Sequence, residues 1–118
     1  MAKLDSVSLN TAAEKRTFDK ATVDVVEIGG MSVGRFTFEP GWRWSESVKP
    51  VVGTDMCEGH HVGVVVQGRM TVETPGGSMD FVAGDAYEIP PGHDAWIVGD
   101  ETFVGLEFKS AEGYGKAQ

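Results

Sequence analysis

Short runs of alternating apolar and polar residues follow one another along most of the chain, and glycine or proline separates them. Runs of about five residues, with turn residues roughly every 8–12 positions, are typical of all-β sandwiches and barrels. The runs read VDVVEI, MSVGRFTF, HVGVVV, RMTVE, SMDFV, AYEI, AWIV and FVGLEF. We therefore predict an all-β fold built as a small barrel.

The segment before these runs is ambiguous. Thr11–Ala21 could form a short helix or an extended N-terminal arm, whereas no window of the central region has a helical period. The chain has 118 residues, which is long enough for one hydrophobic core. We predict a single domain over residues 1–118, with its core between about residue 23 and residue 108.

Two of the turn regions carry a family resemblance. Gly84-Asp85, then AYEI, then Pro90-Pro91-Gly92 resembles the second cupin motif, and VVVQGRM resembles the end of the first motif, closed by Gly68. The segments EPGWRWS and PPGHDAW are similar to those of small single-domain bacterial cupins. The resemblance runs from about residue 30 to residue 108, and it implies a small cupin-type β-barrel with a double-stranded, jelly-roll-like arrangement.

The resemblance also indicates where a metal ion would bind. In metal-binding cupins, three histidines and a glutamate project into the barrel, and here none of those four positions has its usual residue. The positions are held by Asp55, Cys57, His61 and Ala95. His93 lies two residues before the last of them. The familiar cupin activities therefore do not carry over on the motifs alone.

The period of two along a strand predicts which side chains face inward. Counting back from Gly68 places His61 inside, on the same face as Cys57 and Asp55, and turns His60 outward. A slip of one residue would exchange the two histidines. Gly59 and Gly63 flank His61 and have no side chains, so we expect room for a small ligand beside the imidazole.

Cys57 and His61 are the candidate catalytic residues, and three roles are open to them. They could bind a divalent transition metal (zinc, iron, nickel or copper) together with His93 and Asp55. They could also be a thiol nucleophile and its base. A buried, inert cysteine is the third possibility. We favour a metal-dependent enzyme acting on a small organic molecule, with a metal-free ligand-binding module as the alternative.

The remaining candidate substrate-binding residues are mostly aromatic. In GWRWS, read as a strand, Trp42 and Trp44 share one face and Arg43 takes the other. Inward-facing tryptophans would form an apolar wall with Trp96 and Tyr87. An inward-facing Arg43 would instead need an anion, such as a carboxylate substrate.

Charge and composition narrow the set of partners. The net charge of −8 argues against nucleic acid or an anionic membrane surface as a partner. One cysteine cannot form an internal disulfide, and no apolar stretch is long enough to span a membrane, so we expect a cytoplasmic protein. The outward-facing side chains of Val62, Val64 and Val66 need cover, and a homodimer would supply it.

Overall fold

The computed structural model describes residues 3–108, and within this range strands form nearly all of the regular structure. The strands are β1 (Glu14–Phe18), β2 (Ala21–Ile28), β3 (Met31–Phe38), β4 (His61–Gln67), β5 (Arg69–Thr74), β6 (Gly77–Val82), β7 (Ala86–Ile89), β8 (Asp94–Ile97) and β9 (Phe103–Phe108). The helical segments are a 3-10 turn (Leu9–Thr11), α1 (Trp44–Ser47) and α2 (Lys49–Val52). The prediction of an all-β fold is confirmed.

The strands form two antiparallel sheets. The six-stranded sheet has the order β1-β2-β3-β9-β4-β7, and the three-stranded sheet has the order β6-β5-β8. β9 is therefore a central strand, although it comes last among the described strands. β6 and β7 are consecutive along the chain, yet each lies at the edge of its own sheet. This topology brings the start of β4, the end of β7 and the start of β8 to one end of the molecule.

The core lies between the sheets and is filled by the inward residues of each strand. Val23, Phe36 and Phe103 are almost completely buried. The ring of Phe38 stacks on Trp42 with centroids 3.9 Å apart, and on its other neighbour Phe103 at 5.7 Å. Stacked rings of this kind bury large apolar areas and fix one another's orientation.

The N-terminal segment is extended. Thr11 ends the 3-10 turn, and β1 then pairs antiparallel with β2, with Glu14 opposite Val25 and Phe18 opposite Ala21. Phe18 also packs against the core. The helical reading of Thr11–Ala21 is therefore wrong, because pairing along β2 satisfies the backbone of this segment and buries an aromatic ring.

The strand expected over EPGWRWS is also corrected. β3 ends at Phe38, and a turn follows at Pro40 and Gly41, where Gly41 has a φ of +91°. Arg43 then forms a single bridge with Trp96, and α1 begins at the next residue. α2 follows at once and ends at Gly53, whose φ of +82° suits glycine. Two four-residue helices are too short for their period to be read from sequence. Trp42 and Trp44 nevertheless both face the core, which is the first of the two orientations that the sequence left open.

The outer face of the six-stranded sheet is apolar around its centre. Val62, Val66 and Phe108 are between 40% and 53% exposed, and Val64 pairs across the strands with Leu106 beside them. We call these five residues the outer patch. Among residues 3–108, no helix combines the length and the apolar character needed to cross a membrane.

Candidate metal centre

Three side chains with metal-ligand chemistry meet at one end of the core. Possible ligand atoms of Cys57, His61 and His93 all lie within 4.8 Å of one another, and the three residues are at most 6% exposed. Cys57 Sγ is 3.6 Å from His61 Nε2. The imidazole rings meet edge to face, with their centroids 5.1 Å apart. The structure thus brings together three of the four residues that the sequence suggested.

Backbone pairing places Cys57 in this cluster. The Cys57 N–H donates to the carbonyl oxygen of His93 at 2.8 Å, and the Gly92 N–H donates back to the carbonyl of Cys57 at 2.8 Å. The loop before β4 is thereby fixed to the turn between β7 and β8. His61 is the first residue of β4 and lies opposite Ile89 of β7, so it joins the cluster from a third direction.

Asp55 does not belong to the cluster. Its side chain is fully exposed and forms an ion pair with Lys49 at 3.6 Å. The prediction assumed strand alternation from Asp55 to His61, but β4 begins only at His61, so the alternation does not extend back to Asp55. The predicted register of β4 itself is confirmed, since His61 is buried and His60 is exposed beside Glu88.

A buried carboxylate that the sequence analysis missed holds His61 in place. Glu107 Oε1 lies 2.7 Å from His61 Nδ1, and the Tyr87 hydroxyl donates to Glu107 Oε2 at 2.6 Å. The signal in the sequence was available in FVGLEF, where Glu107 takes the inward position two residues after Gly105. A charged residue at an inward strand position needs a partner, and here it has two.

The second histidine is oriented by the backbone. His93 Nδ1 lies 2.7 Å from the carbonyl oxygen of Pro90, and a carbonyl only accepts, so Nδ1 carries the proton. His61 is held through Nδ1 in the same way, by a carboxylate. Metal-binding histidines typically have their second nitrogen bound to a carboxylate or a carbonyl. The arrangement leaves Nε2 of both rings as the ligand atom.

The two glycines beside His61 do not create an empty hollow. A Cβ on Gly63 would meet the Leu106 carbonyl oxygen and would lie 2.8 Å from Glu107 Cγ and 2.9 Å from Tyr87 Oη. A Cβ on Gly59 would lie 3.0 Å from His61 Nε2. The space that Gly63 leaves is therefore taken by Glu107 and Tyr87, which corrects the expectation that this glycine provides ligand room beside the imidazole.

A small cavity does remain next to the cluster. Its volume is about 20 Å³, which holds about one water-sized group. Its walls come from Phe36, Phe38, Trp42, Trp44, His61, Met70, Ile89, His93, Ala95 and Glu107. A larger groove of about 390 Å³ opens between the edge strands β6 and β7, and Ile89 belongs to the walls of both spaces. An organic molecule fits the groove and does not fit the small cavity.

The aromatic candidates divide between two faces. Trp42 and Trp44 line the cavity, and Tyr87 lies behind Glu107. Trp96 is only half-buried and faces the other way, under the guanidinium of Arg43, whose carbon atom is 4.3 Å from the ring centroid. Trp96 and Arg43 are therefore corrected as candidates for this cavity, because β8 turns Ala95 inward instead.

Comparison with other proteins identifies the architecture. Neither a protein-family model nor a curated protein matches the sequence. A sugar phosphate isomerase of the cupin superfamily from Silicibacter pomeroyi is 16% identical, with a TM-score of 0.63 over 88% of this chain and 74% of that chain. A Cupin 2 conserved barrel domain protein from Salinispora arenicola is 15% identical, with a TM-score of 0.59 over 92% and 87%. This chain has the cupin fold. A protein with a double-stranded β-helix domain from Klebsiella pneumoniae, 19% identical, gives a TM-score of 0.58 over 96% and 87%.

The cluster of Cys57, His61 and His93 is strongly polarised. Burial alone would raise the pKa of the Cys57 thiol, but hydrogen bonds and charge attraction from His61 and His93 lower it from 9.0 to about 6. Burial would lower the pKa of His61, but the Glu107 carboxylate and the Cys57 thiolate raise it from 6.5 to about 10. Near neutral pH the two groups therefore form a buried thiolate–imidazolium pair, which titrates as a unit.

We predict that Gly63→Ala destabilises the protein by about 1–3 kcal/mol, because the new methyl group overpacks Glu107 and the Leu106 carbonyl. Urea unfolding measures the change. Gly76→Ala is the matched control, since its Cβ would lie 3.8 Å from Thr74 Oγ1, in ordinary contact. Equal stability of the two variants would show that the space behind His61 is not filled as described.

We predict that the metal-free protein forms the Cys57 thiolate with a midpoint near pH 6. The folded pKa is lowered, so the thiolate is present above that pH and is lost as the pH falls through it. Ultraviolet absorbance of the thiolate reports the change, and Cys57→Ser supplies the baseline because the chain has one cysteine. Glu107→Gln should raise the midpoint pH of thiolate formation. Without the carboxylate charge, the cationic form of His61, which stabilises the thiolate, is less favourable. A midpoint near the ordinary ~8.5 would contradict the pairing.

Proposed function

We propose that this cupin-fold protein is a metal-dependent enzyme that acts on a small organic molecule. Cys57, His61 and His93 would hold one divalent transition-metal ion. The observation that carries the proposal is the convergence of three buried ligand atoms within 4.8 Å, with the other nitrogen of each imidazole already bound. Buried polar groups cost stability unless each of them has a hydrogen-bond partner or a ligand. Packing alone therefore gives no reason to bring these three side chains together.

The chemistry of the donor set decides which ions fit. A thiolate and two imidazoles suit zinc, iron, nickel and copper, and they disfavour magnesium and calcium, which prefer oxygen. Gly59 gives the donors room, because a Cβ there would lie 3.0 Å from His61 Nε2 and 3.6 Å from Cys57 Sγ. Three protein ligands are also the number that catalytic zinc sites use, with one position left for an exogenous ligand.

The residues around the cluster have distinct tasks. When bound, the ion supplies Lewis-acid chemistry, polarising an oxygen atom or lowering the pKa of a water. Glu107 accepts from His61 Nδ1 and fixes its tautomer, and Tyr87 fixes the carboxylate in turn. The aromatic walls of the cavity exclude bulk water, which strengthens electrostatic interactions inside.

The organic substrate would occupy the groove between β6 and β7. Its walls are mostly apolar, from Val72, Gly76, Gly77, Met79, Phe81, Ile89 and Pro90, with Thr74, Ser78 and Glu88 as polar groups. The walls of this groove include no lysine or arginine, and Arg43 lies elsewhere. We therefore favour an uncharged or cationic, largely apolar molecule over a phosphate or a carboxylate.

Thiol chemistry at Cys57 is the second candidate function. The sequence of contacts from Cys57 Sγ to His61 and on to Glu107 resembles a nucleophile, a base and its orienting carboxylate. Two observations place it second. The cavity admits only a water-sized group, and the Cys57 N–H already donates to His93, so it cannot stabilise an oxyanion.

Assembly and location complete the proposal. Covering the outer patch with a second copy of the chain would remove apolar surface from water, so we propose a homodimer. The protein would work in the cytoplasm, because a lone cysteine that serves as a ligand has to stay reduced.

We predict that chelator-treated protein takes up one equivalent of Zn²⁺, and that His61→Ala lowers the affinity by at least about 100-fold, since losing a ligand costs more than losing the partner of a ligand. Titration against a competing metal indicator measures both. Co²⁺ should give a thiolate-to-metal absorption band that Cys57→Ser removes.

His60→Ala is the matched control for this titration. His60 is the neighbouring histidine, exposed and paired with Glu88 at 2.9 Å, so its loss should leave the zinc affinity unchanged. No zinc uptake, or equal losses in the two histidine variants, would contradict the metal proposal. A protein that still binds an apolar ligand in the groove would then be a metal-free binding module.

We predict that the protein elutes as a dimer, and that Val62→Glu produces monomers, because the charge would be buried in the outer patch. Light scattering after size exclusion gives the masses. Val82→Glu is the matched control, since Val82 has the same 44% exposure as Val62 but lies on the three-stranded sheet. A monomeric parent, or a monomer from both variants, would contradict this interface.

A further inference from the structure

One wall of the small cavity carries a buried donor with no acceptor. The indole N–H of Trp42 has no hydrogen-bond partner among residues 3–108, although Trp42 is only 2% exposed. Stacking on Phe38, with ring planes 6° apart, fixes the orientation of the indole. An indole nitrogen can only donate, so the missing partner has to be an acceptor.

No group within residues 3–108 accepts a hydrogen bond from this N–H. Both carboxylate oxygens of Glu107 accept from other side chains, Oε1 from His61 and Oε2 from Tyr87. His93 Nδ1 donates to Pro90. The cavity that Trp42 shares with the two histidines has the volume of about one water-sized group. An acceptor that completes the hydrogen bonding of Trp42 therefore has to come from outside residues 3–108 and has to be small.

We propose that the cavity binds a single water-sized ligand with an acceptor atom, between the Cys57–His61–His93 cluster and the indole N–H of Trp42. This inference rests on the proposed function, because the ligand would take the position that three protein ligands leave open. Trp42 is then a positioning residue that selects and orients the small ligand. The groove takes the organic substrate, and the cavity takes only a ligand as small as water, hydroxide or dioxygen.

The test uses fluoride, a one-atom acceptor, as the probe on Co²⁺-loaded protein. Absorption titration gives its dissociation constant for the parent and for Trp42→Phe, which keeps a stacking ring and removes the N–H. We expect about 10- to 100-fold weaker fluoride binding in Trp42→Phe, the usual loss for a hydrogen bond to a charged group. The Co²⁺ affinity should be unchanged, because Trp42 is not a ligand.

Trp96→Phe is the matched control, since Trp96 lies against Arg43 outside the cavity and should not alter fluoride binding. Acetate should bind far more weakly than fluoride, because it exceeds the cavity. Equal fluoride affinity in the parent and Trp42→Phe, or acetate binding as tight as fluoride, overturns this inference alone. Failure to take up Co²⁺ overturns the proposed function, and this inference with it.

A second measurement needs no variant of Trp42. The chain has three tryptophans, so a nitrogen–proton spectrum of the Zn²⁺-loaded protein shows three indole signals. Those of Trp44 and Trp96 are assigned by single replacement, which leaves Trp42 by elimination. Fluoride should shift the Trp42 indole signal more than the other two indole signals. The dissociation constant from this shift should equal that from the other signals that fluoride changes in the Zn²⁺-loaded protein. An unmoved Trp42 signal at saturating fluoride overturns the inference.

Discussion

The hydrogen bond between Glu107 and His61 is the interaction on which the site depends. It joins β9 to the first residue of β4, across the middle of the six-stranded sheet. Glu107 lies opposite Gly63 in the register, and its side chain can reach His61 only because Gly63 has no Cβ. A glycine in the middle of a buried strand weakens the strand, so this one has a packing purpose. It provides the path by which a carboxylate orients an imidazole.

Because these groups are buried, each of them needs its hydrogen-bond partner. Tyr87, Glu107, His61 and Cys57 follow one another by hydrogen bonds in the interior, and each ionised group has a partner of opposite charge or a donor. Breaking such a chain leaves an uncompensated buried charge, which costs more than the pair contributes when it is complete. The same pairing keeps the sulfur as a thiolate and holds His61 Nε2 beside it, while the Pro90 carbonyl orients His93. Stability and reactivity therefore rest on the same contacts.

The small cavity and the groove admit ligands of different size. The cavity beside the cluster is closed by aromatic rings and admits a water-sized group, whereas the groove between β6 and β7 has the volume of an ordinary ligand pocket. Ile89 separates them and also pairs with His61 across β4 and β7. A buried, apolar side chain at that position lets the groove lie beside the cluster without admitting solvent to it.

Strand rhythm, the all-β architecture and the inward direction of His61 could be predicted from the sequence, because the alternation of side chains along a strand is a local property. Residue type alone also identified Cys57 and His93 as candidate ligands. The exposure of Asp55 and the two short helices could not be predicted, because the alternation of side chains does not continue where the chain leaves the sheet. Only the tertiary structure brought Glu107 to His61, 46 positions earlier, and filled the space beside Gly63. What occupies the volume in front of a side chain depends on which distant strands pair, and the pairing of β4 with β9 and β7 is settled only when the whole sheet forms.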